Sequence, residues 1–296
     1  MVFRIRHATR FDYEAPAYES HNEIRLRPCD DSRQRVLTFD LQVTPRASVF
    51  EFRDYFGNRA HSISIYPPHD SLAIVTTALV ERSPDFGGRP TEVSFDRFLT
   101  EDELRTRENC EFLGASRYVP FSDRLRKFFW MARPRRSEDV AEYVLRVICF
   151  IRDQFGYDTG TTHVHSNLDE ILNAGGGVCQ DFAHLALGVL RLAGVPARYV
   201  SGYLGPAPGA ADALGEQASH AWVEALLPGL GWTGFDPTHR CRTDSSHIRI
   251  AIGRDYADAS PIRGVYRSDA GRNTMTVELE VFPAPSPAAT SGQSQQ

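Results

Sequence analysis

The stretch GGGVCQDFAHLAL at residues 175–187 places Cys179 between three glycines and an apolar run. The run stays apolar on nearly every side until Gly194 and Pro196, a pattern that predicts a central, buried helix from about residue 180 to 193. Cys179 then lies at the first turn of the helix, where free backbone N–H groups and the helix dipole stabilise an anion. This position favours a reactive thiolate.

A cysteine beside glycines is often only a small buried hydrophobe, so a nucleophile also requires a histidine and a group that orients it. Residues 219–239, SHAWVEALLPGLGWTGFDPTH, contain both. The turn sequence PGLG separates two runs of strand formers and predicts an antiparallel hairpin. A hairpin centred on Pro228 places His220 opposite Asp236, with Cβ atoms about 5 Å apart. A shifted centre would pair His220 with another residue, His239 included.

His220 and Asp236 each have a common structural explanation, as a core histidine and a turn-forming aspartate. Together with Cys179 they form the set that nucleophilic catalysis needs: a thiol, an imidazole base and a carboxylate that orients it. The three residues therefore predict a cysteine enzyme.

Composition and charge exclude other classes of protein. The 296 residues are 42% hydrophobic and 24% charged, as in a soluble globular protein of two modest domains. A net charge of -5 provides no basic field, so we expect no nucleic-acid partner. The N-terminal MVFRIRHATRFDY carries charges throughout, which predicts a cytoplasmic protein without membrane association. Five widely spaced cysteines with no Cys-x-x-Cys pair fit reduced thiols.

The pattern of elements changes near residue 120 and predicts an α+β protein. Residues 1–120 alternate strand formers and turn residues, which is typical of a β-sandwich-like domain; the predicted strands are 3–7, 36–43, 60–66 and 72–80. Residues 121–282 combine helices and strands. Residues 283–296 are rich in Pro, Ala, Ser and Gln and predict a disordered tail.

The second domain begins with a helix predicted over residues 137–154, with Ser137 as its N-terminal cap. The buried helix of Cys179 follows it. Strands are predicted after that helix, the last of them being assigned to the same domain; they are 197–203, 221–227, 231–236 and 275–281.

Four motifs in fixed order resemble the bacterial transglutaminase-like cysteine protease family. They are GVCQDFAHL (177–185), GVPARYVSGY (194–203), HAWVE (220–224) and GWTGFDPT (231–238). The first part of the chain is similar to the N-terminal β domain of that family, as in NEIRLRP (22–28) and DYFGN (54–58). The resemblance extends to about residue 282.

This resemblance implies a papain-like core in which the helix that bears the nucleophile packs on an antiparallel sheet. It also implies a Cys-His-Asp triad, with Cys179 as nucleophile, His220 as general base and acid, and Asp236 as the residue that orients His220. All three positions are present in the chain.

The implied reaction is acyl transfer to water. Cys179 attacks an amide carbonyl, His220 protonates the leaving amine, and water cleaves the thioester acyl-enzyme. We therefore expect a cysteine hydrolase, a protease or amidase, that acts on a peptide or protein substrate without a cofactor. The alternative is a protein-glutamine gamma-glutamyltransferase that cross-links or deamidates glutamine through the same triad. A non-catalytic interaction module is disfavoured because no triad residue is missing, and the sequence carries no signal for oligomeric state.

Three further residues are candidates for the substrate or oxyanion site. Tyr157 is a possible second oxyanion donor beside the Cys179 amide, Gln180 adjoins the nucleophile, and Trp222 shares a strand face with His220. Each also has a structural explanation: an aromatic wedge, a solvent-facing helix residue and a core tryptophan.

A metal site is disfavoured. His163 and His165 have no partner at the spacing of a closed zinc site, and Cys179 and His184 point to different sides of a helix. We expect no metal, and we expect His163 and His165 to lie in a loop. The sequence leaves open whether this loop approaches the active site.

Overall fold

The computed structural model describes residues 1–83, 92–100, 106, 108–160, 166–206 and 219–285. In these ranges the chain forms a curled N-terminal sheet, a second sheet and a layer of helices packed against it. The α+β fold class is therefore confirmed. No helix in these ranges is long and apolar enough to cross a membrane.

The elements follow one another in two groups, with strands first and a mixture of helices and strands afterwards. The strands are β1 (Val2–Ile24), β2 (Gln34–Thr44), β3 (Val49–Arg53), β4 (Arg59–Ile65), β5 (His69–Arg82), β6 (Gly156–Tyr157), β7 (Gly176–Gly177), β8 (Ala197–Leu204), β9 (Ser219–Leu227), β10 (Gly231–Asp236), β11 (Cys241–Arg242), β12 (His247–Gly253), β13 (Ile262–Ser268) and β14 (Asn273–Ala284). The helices are α1 (Phe95–Thr100), α2 (Asp123–Ala132), α3 (Val140–Gln154), α4 (Leu168–Ala174), α5 (Cys179–Leu192) and α6 (Tyr256–Ala259).

Strand β1 organises the N-terminal sheet because it belongs to two sections of it. Its first half pairs with β5 and β14, and its second half pairs with β4 and β13, all antiparallel. The register shifts where the partners change, so the strand bends there as at a β-bulge. The two sections enclose a small core made of Ile24, Leu26, Ile63, Ile65, Leu72 and Ile74. The predicted β-sandwich-like region is thus β-rich with its own core, and its strands belong to one seven-stranded sheet.

The last strand belongs to the N-terminal sheet. The sequence assigns residues 275–281 to the catalytic domain, but β14 pairs with β1 along its whole length, from Val2 opposite Ala284 to Tyr13 opposite Asn273. A strand pattern shows that a segment will pair but does not identify its partner, and β14 covers an edge of β1 that would otherwise be unpaired. The strand also continues two residues into the predicted disordered tail, whose residues 286–296 lie outside the described ranges.

Helix α5 is the centre of the main core, as its composition predicts. Its side chains from Gln180 to Arg191 are all buried. It contacts α2, α3 and α4 as well as β8 and β9, so apolar residues are needed on every side. Gly194, with φ of 86°, lies two residues beyond its last residue, where a left-handed conformation lets the chain turn towards β8.

The N-terminal cap of helix α3 lies two residues later than the predicted cap Ser137. Asp139 is the N-terminal cap, and its Oδ1 accepts hydrogen bonds from the backbone N–H groups of Ala141 and Glu142 at 2.8 and 3.1 Å. Its Oδ2 also accepts the N–H of Val93 at 2.9 Å. The two carboxylate oxygens of Asp139 can accept from the first turn of α3 and from Val93 at the same time. The single hydroxyl oxygen of Ser137 is less suited to accept from both segments.

The second sheet has the strand order β11-β10-β9-β8-β12 and is antiparallel. Gly202 on β8 pairs with His220 on β9, and the ring of Trp222 covers Gly202. A Cβ at Gly202 would overlap both this ring and the carbonyl oxygen of Ile248. Glycine is therefore required here for close approach.

Replacing Gly202 with alanine should lower the free energy of unfolding by about 1–3 kcal/mol, because the added methyl group overpacks a buried site. Urea denaturation followed by circular dichroism measures the change. Gly271→Ala is the control, since a Cβ there meets no atom within 4 Å. Equal transition midpoints for the two variants would contradict this account of the packing.

Candidate active site

Cys179 is the first residue of α5, after a loop whose glycines have separate functions. Gly175 ends α4 with φ of 70°. Gly177 leaves the space in which the side chain of Asp181 lies, and the Oδ2 atom of Asp181 accepts the backbone N–H of Val178 at 2.8 Å. This bond fixes the residue before Cys179 and holds the start of the helix in place. Cys179 itself is a free, partly buried thiol.

His220 joins Cys179 to Asp236. It lies at the start of β9 and is buried, with only 7% of its surface exposed. Its Nε2 atom is 2.7 Å from Oδ2 of Asp236, and the side chain of Cys179 lies close enough to help raise the pKa of the imidazole. Because Nε2 contacts the carboxylate, Nδ1 is the nitrogen left for the sulfur. The structure thus brings together the three residues predicted from the sequence.

The hairpin register differs from the one predicted. Strands β9 and β10 pair from Leu227 opposite Gly231 to Val223 opposite Phe235, so the hairpin is centred on Gly229 and not on Pro228. The cause is a three-residue turn in which Gly229, with φ of 71°, takes the left-handed conformation.

This register makes His220 and Asp236 diagonal neighbours instead of directly opposite ones. Continued by one residue, it places Asp236 opposite Trp222, on the same sheet face as His220. An imidazole is long enough to close the diagonal distance between such neighbours. The predicted contact therefore forms although the predicted register is wrong.

Asp236 is completely buried and accepts five hydrogen bonds. Its Oδ1 accepts the backbone N–H groups of Thr238 and His239 at 2.8 and 3.2 Å. Its Oδ2 contacts three imidazoles: Nε2 of His220 at 2.7 Å, Nδ1 of His239 at 2.7 Å and Nε2 of His247 at 3.2 Å. These contacts compensate for the loss of water around the carboxylate.

The contacts also determine the charges. Burial raises the pKa of Asp236, but the hydrogen bonds from the three histidines outweigh it and hold the pKa far below its usual range. Burial lowers the pKa of His220, but the contacts with Asp236 and Cys179 outweigh it, and the pKa lies above 6.5. The hydrogen bond to Asp236 likewise raises the pKa of His239 against a smaller effect of burial. The site therefore favours an ionised Asp236 beside an imidazolium.

His239 and His247 are the residues of this cluster that the sequence does not assign to the site. His239 follows Asp236 by three residues, and the sequence identifies it only as an alternative partner of His220. His247 comes from β12, whose place beside β8 in the sheet no local pattern predicts. Only the tertiary structure brings it to Asp236.

The three other candidate residues lie around the site in different environments. Tyr157 on β6 pairs with Gly177 on β7, is half exposed, and packs its ring edge-on against Phe182. Gln180 is buried in the first turn of α5. Trp222 is 2% exposed, and its ring centroid lies 6.1 Å from that of His220. Trp222 thus supports His220 from within the protein and offers almost no surface to a substrate.

A metal ion has one candidate set of ligands among the described residues. Ligand atoms of His220, Asp236 and His247 all lie within 4.8 Å of one another. The 2.7 Å contact between Nε2 of His220 and Oδ2 of Asp236 is a hydrogen-bond distance, whereas ligands of a tetrahedral zinc ion lie about 3.3 Å apart. These residues would have to separate to hold an ion. His163 and His165 lie outside the described residues.

Two family models match the chain. One describes the bacterial transglutaminase-like N-terminal region and matches residues 3–81; the other describes the transglutaminase-like superfamily and matches residues 131–237. An uncharacterized protein of Mycobacterium leprae is 34% identical over 283 residues, which cover 94% of this chain and 97% of that protein.

A solved structure from Cytophaga hutchinsonii, described as a candidate cysteine protease, matches with a TM-score of 0.76 and 25% identity. The match covers 97% of this chain and 92% of that chain. A protein-glutamine gamma-glutamyltransferase of Pseudomonas aeruginosa is 40% identical over 117 residues, 36% of this chain and 17% of that enzyme.

The fold is that of a papain-like α+β protein with a curled, β-rich N-terminal region. The chain belongs to the transglutaminase-like superfamily. The resemblance found in the sequence motifs is therefore confirmed.

Replacing Asp236 with asparagine should lower the pKa of His220, because the carboxylate that raises it is lost while burial remains. Proton NMR titration of the histidine ring signals measures the change. In the wild type, the stability that His220 contributes is present below pH 6.5 and is lost as the pH rises through the raised pKa. His7, whose pKa burial lowers to about 4, is the internal reference. An unchanged His220 titration would contradict the assigned contact.

Proposed function

We propose that the protein is a cysteine hydrolase, a protease or amidase, that cleaves amide bonds of a peptide or protein through a thioester acyl-enzyme. The observation that carries the proposal is the hydrogen bond of His220 to the buried carboxylate of Asp236, with Cys179 near enough to raise the pKa of the same imidazole. The likeness to a candidate cysteine protease of Cytophaga hutchinsonii supports the same class of reaction.

Acylation begins with transfer of the Cys179 proton to Nδ1 of His220. Asp236 stabilises the resulting imidazolium through Nε2, and the start of α5 stabilises the thiolate. The sulfur then attacks the carbonyl carbon, and the carbonyl oxygen becomes an oxyanion. We propose the backbone N–H of Cys179, which as the first N–H of the helix has no acceptor within it, as the donor to that oxygen.

The tetrahedral intermediate collapses when His220 returns its proton to the leaving nitrogen. The carbon–nitrogen bond breaks, the amine departs, and the acyl group remains on Cys179 as a thioester. Water then attacks the thioester with His220 as general base. The products are a carboxylic acid and the regenerated thiol, so the reaction as written consumes only water and requires no cofactor.

Replacing Cys179 with alanine should lower the hydrolysis rate of a responsive peptide amide by at least about 10⁴-fold, because the group that forms the thioester is gone. A library of peptide amides read by mass spectrometry identifies the responsive substrate with the wild type first. Cys149→Ala is the matched control, since Cys149 is a partly buried cysteine within α3 that the proposed reaction does not use. Equal loss of activity in both variants, or retained activity in Cys179→Ala, would refute the proposal.

The second candidate function is transamidation of glutamine. The similarity over 117 residues to a protein-glutamine gamma-glutamyltransferase favours it, and both reactions share the same thioester. They differ only in whether water or an amine reaches the acyl group.

With a glutamine-containing peptide and added methylamine, we expect the hydrolysed peptide to be the main product, because water needs no binding site of its own. Mass spectrometry separates the hydrolysed or deamidated peptide from the methylamide. A parallel reaction without methylamine is the control. A methylamide as the main product would assign the protein to the transglutaminases instead.

A further inference from the structure

His247 is a second imidazole that reaches the catalytic carboxylate from a separate strand. It is the first residue of β12, is buried, and brings Nε2 to 3.2 Å from Oδ2 of Asp236. The proposed reaction uses only His220 on this carboxylate. The contact with His247 therefore needs its own explanation.

The other ring nitrogen of His247 shows which atom carries the proton. Nδ1 lies 3.1 Å from the backbone nitrogen of Asp244 and 3.0 Å from the Oδ1 atom of Asp244. A backbone N–H can only donate, so in neutral His247 Nδ1 accepts this bond and the proton lies on Nε2. In the imidazolium, Nδ1 donates to the Asp244 carboxylate while Nε2 keeps its proton. Nε2 therefore donates to Asp236 in both charge states.

His247 differs from His239, which contacts the same oxygen. His239 lies in the turn that follows Asp236, and its side chain is 54% exposed. It therefore moves with Asp236 and cannot fix the carboxylate relative to the rest of the fold. His247 belongs to β12, which pairs with β8. Strands β8 and β12 lie on one side of β9 in the sheet, and β10, which bears Asp236, lies on the other side. His247 ties the carboxylate to a separate part of the sheet.

The ring of His247 is itself held in place. Trp222 packs edge-on against it, with centroids 5.3 Å apart and planes at 83°, and the same tryptophan lies against His220. Asp244 holds the far nitrogen, and Ser246 Oγ lies 3.4 Å from it. A ring constrained on two sides can transmit a defined orientation to the carboxylate.

We propose that His247 is a positioning residue, which keeps the Asp236 carboxylate in the orientation in which Oδ2 accepts from His220. The inference rests on the proposed function, in which Asp236 orients His220 towards Cys179. Asp236 is then oriented by a hydrogen bond from a different strand, and the series of contacts becomes Cys179, His220, Asp236, His247.

Several charged groups face His247 and would respond if its charge changed. Asp236 and Asp244 contact it, and the ring of His220 lies 6.3 Å away between centroids. It also lines a cavity of about 260 Å³ together with charged side chains of both sheets and of the loop before β2: Asp31, Arg33, Arg82, Glu224 and Arg249. A test that keeps the charge constant and varies only the position of the donor separates orientation from electrostatics.

Glutamine and asparagine at position 247 provide that test. The side-chain NH₂ of His247→Gln extends to the place of Nε2 and can still donate to Asp236, whereas that of His247→Asn extends only to the place of Nδ1, beside Asp244. Both are neutral amides. The measurement is the alkylation rate of Cys179 by limiting iodoacetamide across pH 5–9, read by mass spectrometry, with exposed Cys110 as the internal reference.

We expect His247→Gln to follow the wild-type pH profile. His247→Asn should label Cys179 about tenfold more slowly at neutral pH and shift its profile towards that of His220→Ala. Thermal unfolding shows whether each variant is folded. If His247→Asn does not fold, His247→Leu replaces it, and we expect the same slower labelling and shifted profile for the leucine variant.

Identical profiles for wild type, His247→Gln and the folded asparagine or leucine variant would overturn the positioning role, since His247 would then only fill space. If wild type and His220→Ala have the same profile, the proposed function itself fails, and the positioning role fails with it. A structural role alone would lower the unfolding temperature without moving the pH profile of Cys179 relative to Cys110.

Discussion

The site depends on one costly constraint, which is an ionised carboxylate with no exposed surface. Burying a charge without partners costs many kcal/mol, so Asp236 is tolerable only because five donors surround it. Two of these donors are backbone groups of its own turn, and two are histidines of other strands. The order of strands in the second sheet brings those two histidines to Asp236, so the ionised state of this carboxylate depends on the fold.

A second buried carboxylate ties the same sheet to the N-terminal region. Burial raises the pKa of Glu224, but Arg198 and Arg249 outweigh it and lower the pKa to about 2. Its contribution to stability is present above the ordinary glutamate pKa and is lost only as the pH falls towards 2. Arg249 also donates to Asp31 at 2.7 Å and to the sulfur of Cys29 at 3.0 Å. The N-terminal region is thereby attached to the sheet face that bears His220 and Trp222.

Local patterns in the sequence predict α5, three of the five strands of the second sheet (β8, β9 and β10) and the residues Cys179, His220 and Asp236, because each depends on nearby turn and helix signals. They do not predict β11 or β12. The predicted hairpin register is wrong, because the left-handed turn at Gly229 shifts the centre by one residue. His247 and the partner of β14 were missed for a different reason. Each depends on which strands meet in space, and a periodic pattern records only that a strand will form.

The pairing of β1 with β14 has a consequence for how the protein is made. One edge of β1 finds its partner β14 only after residue 284 has been synthesised, so this sheet is completed only after α5 and the second sheet have been made. Helix α5 and the second sheet lie between β5 and β13 in the chain, as an insertion within the N-terminal sheet. A fragment ending near residue 120 would therefore carry an open strand edge and a tendency to aggregate.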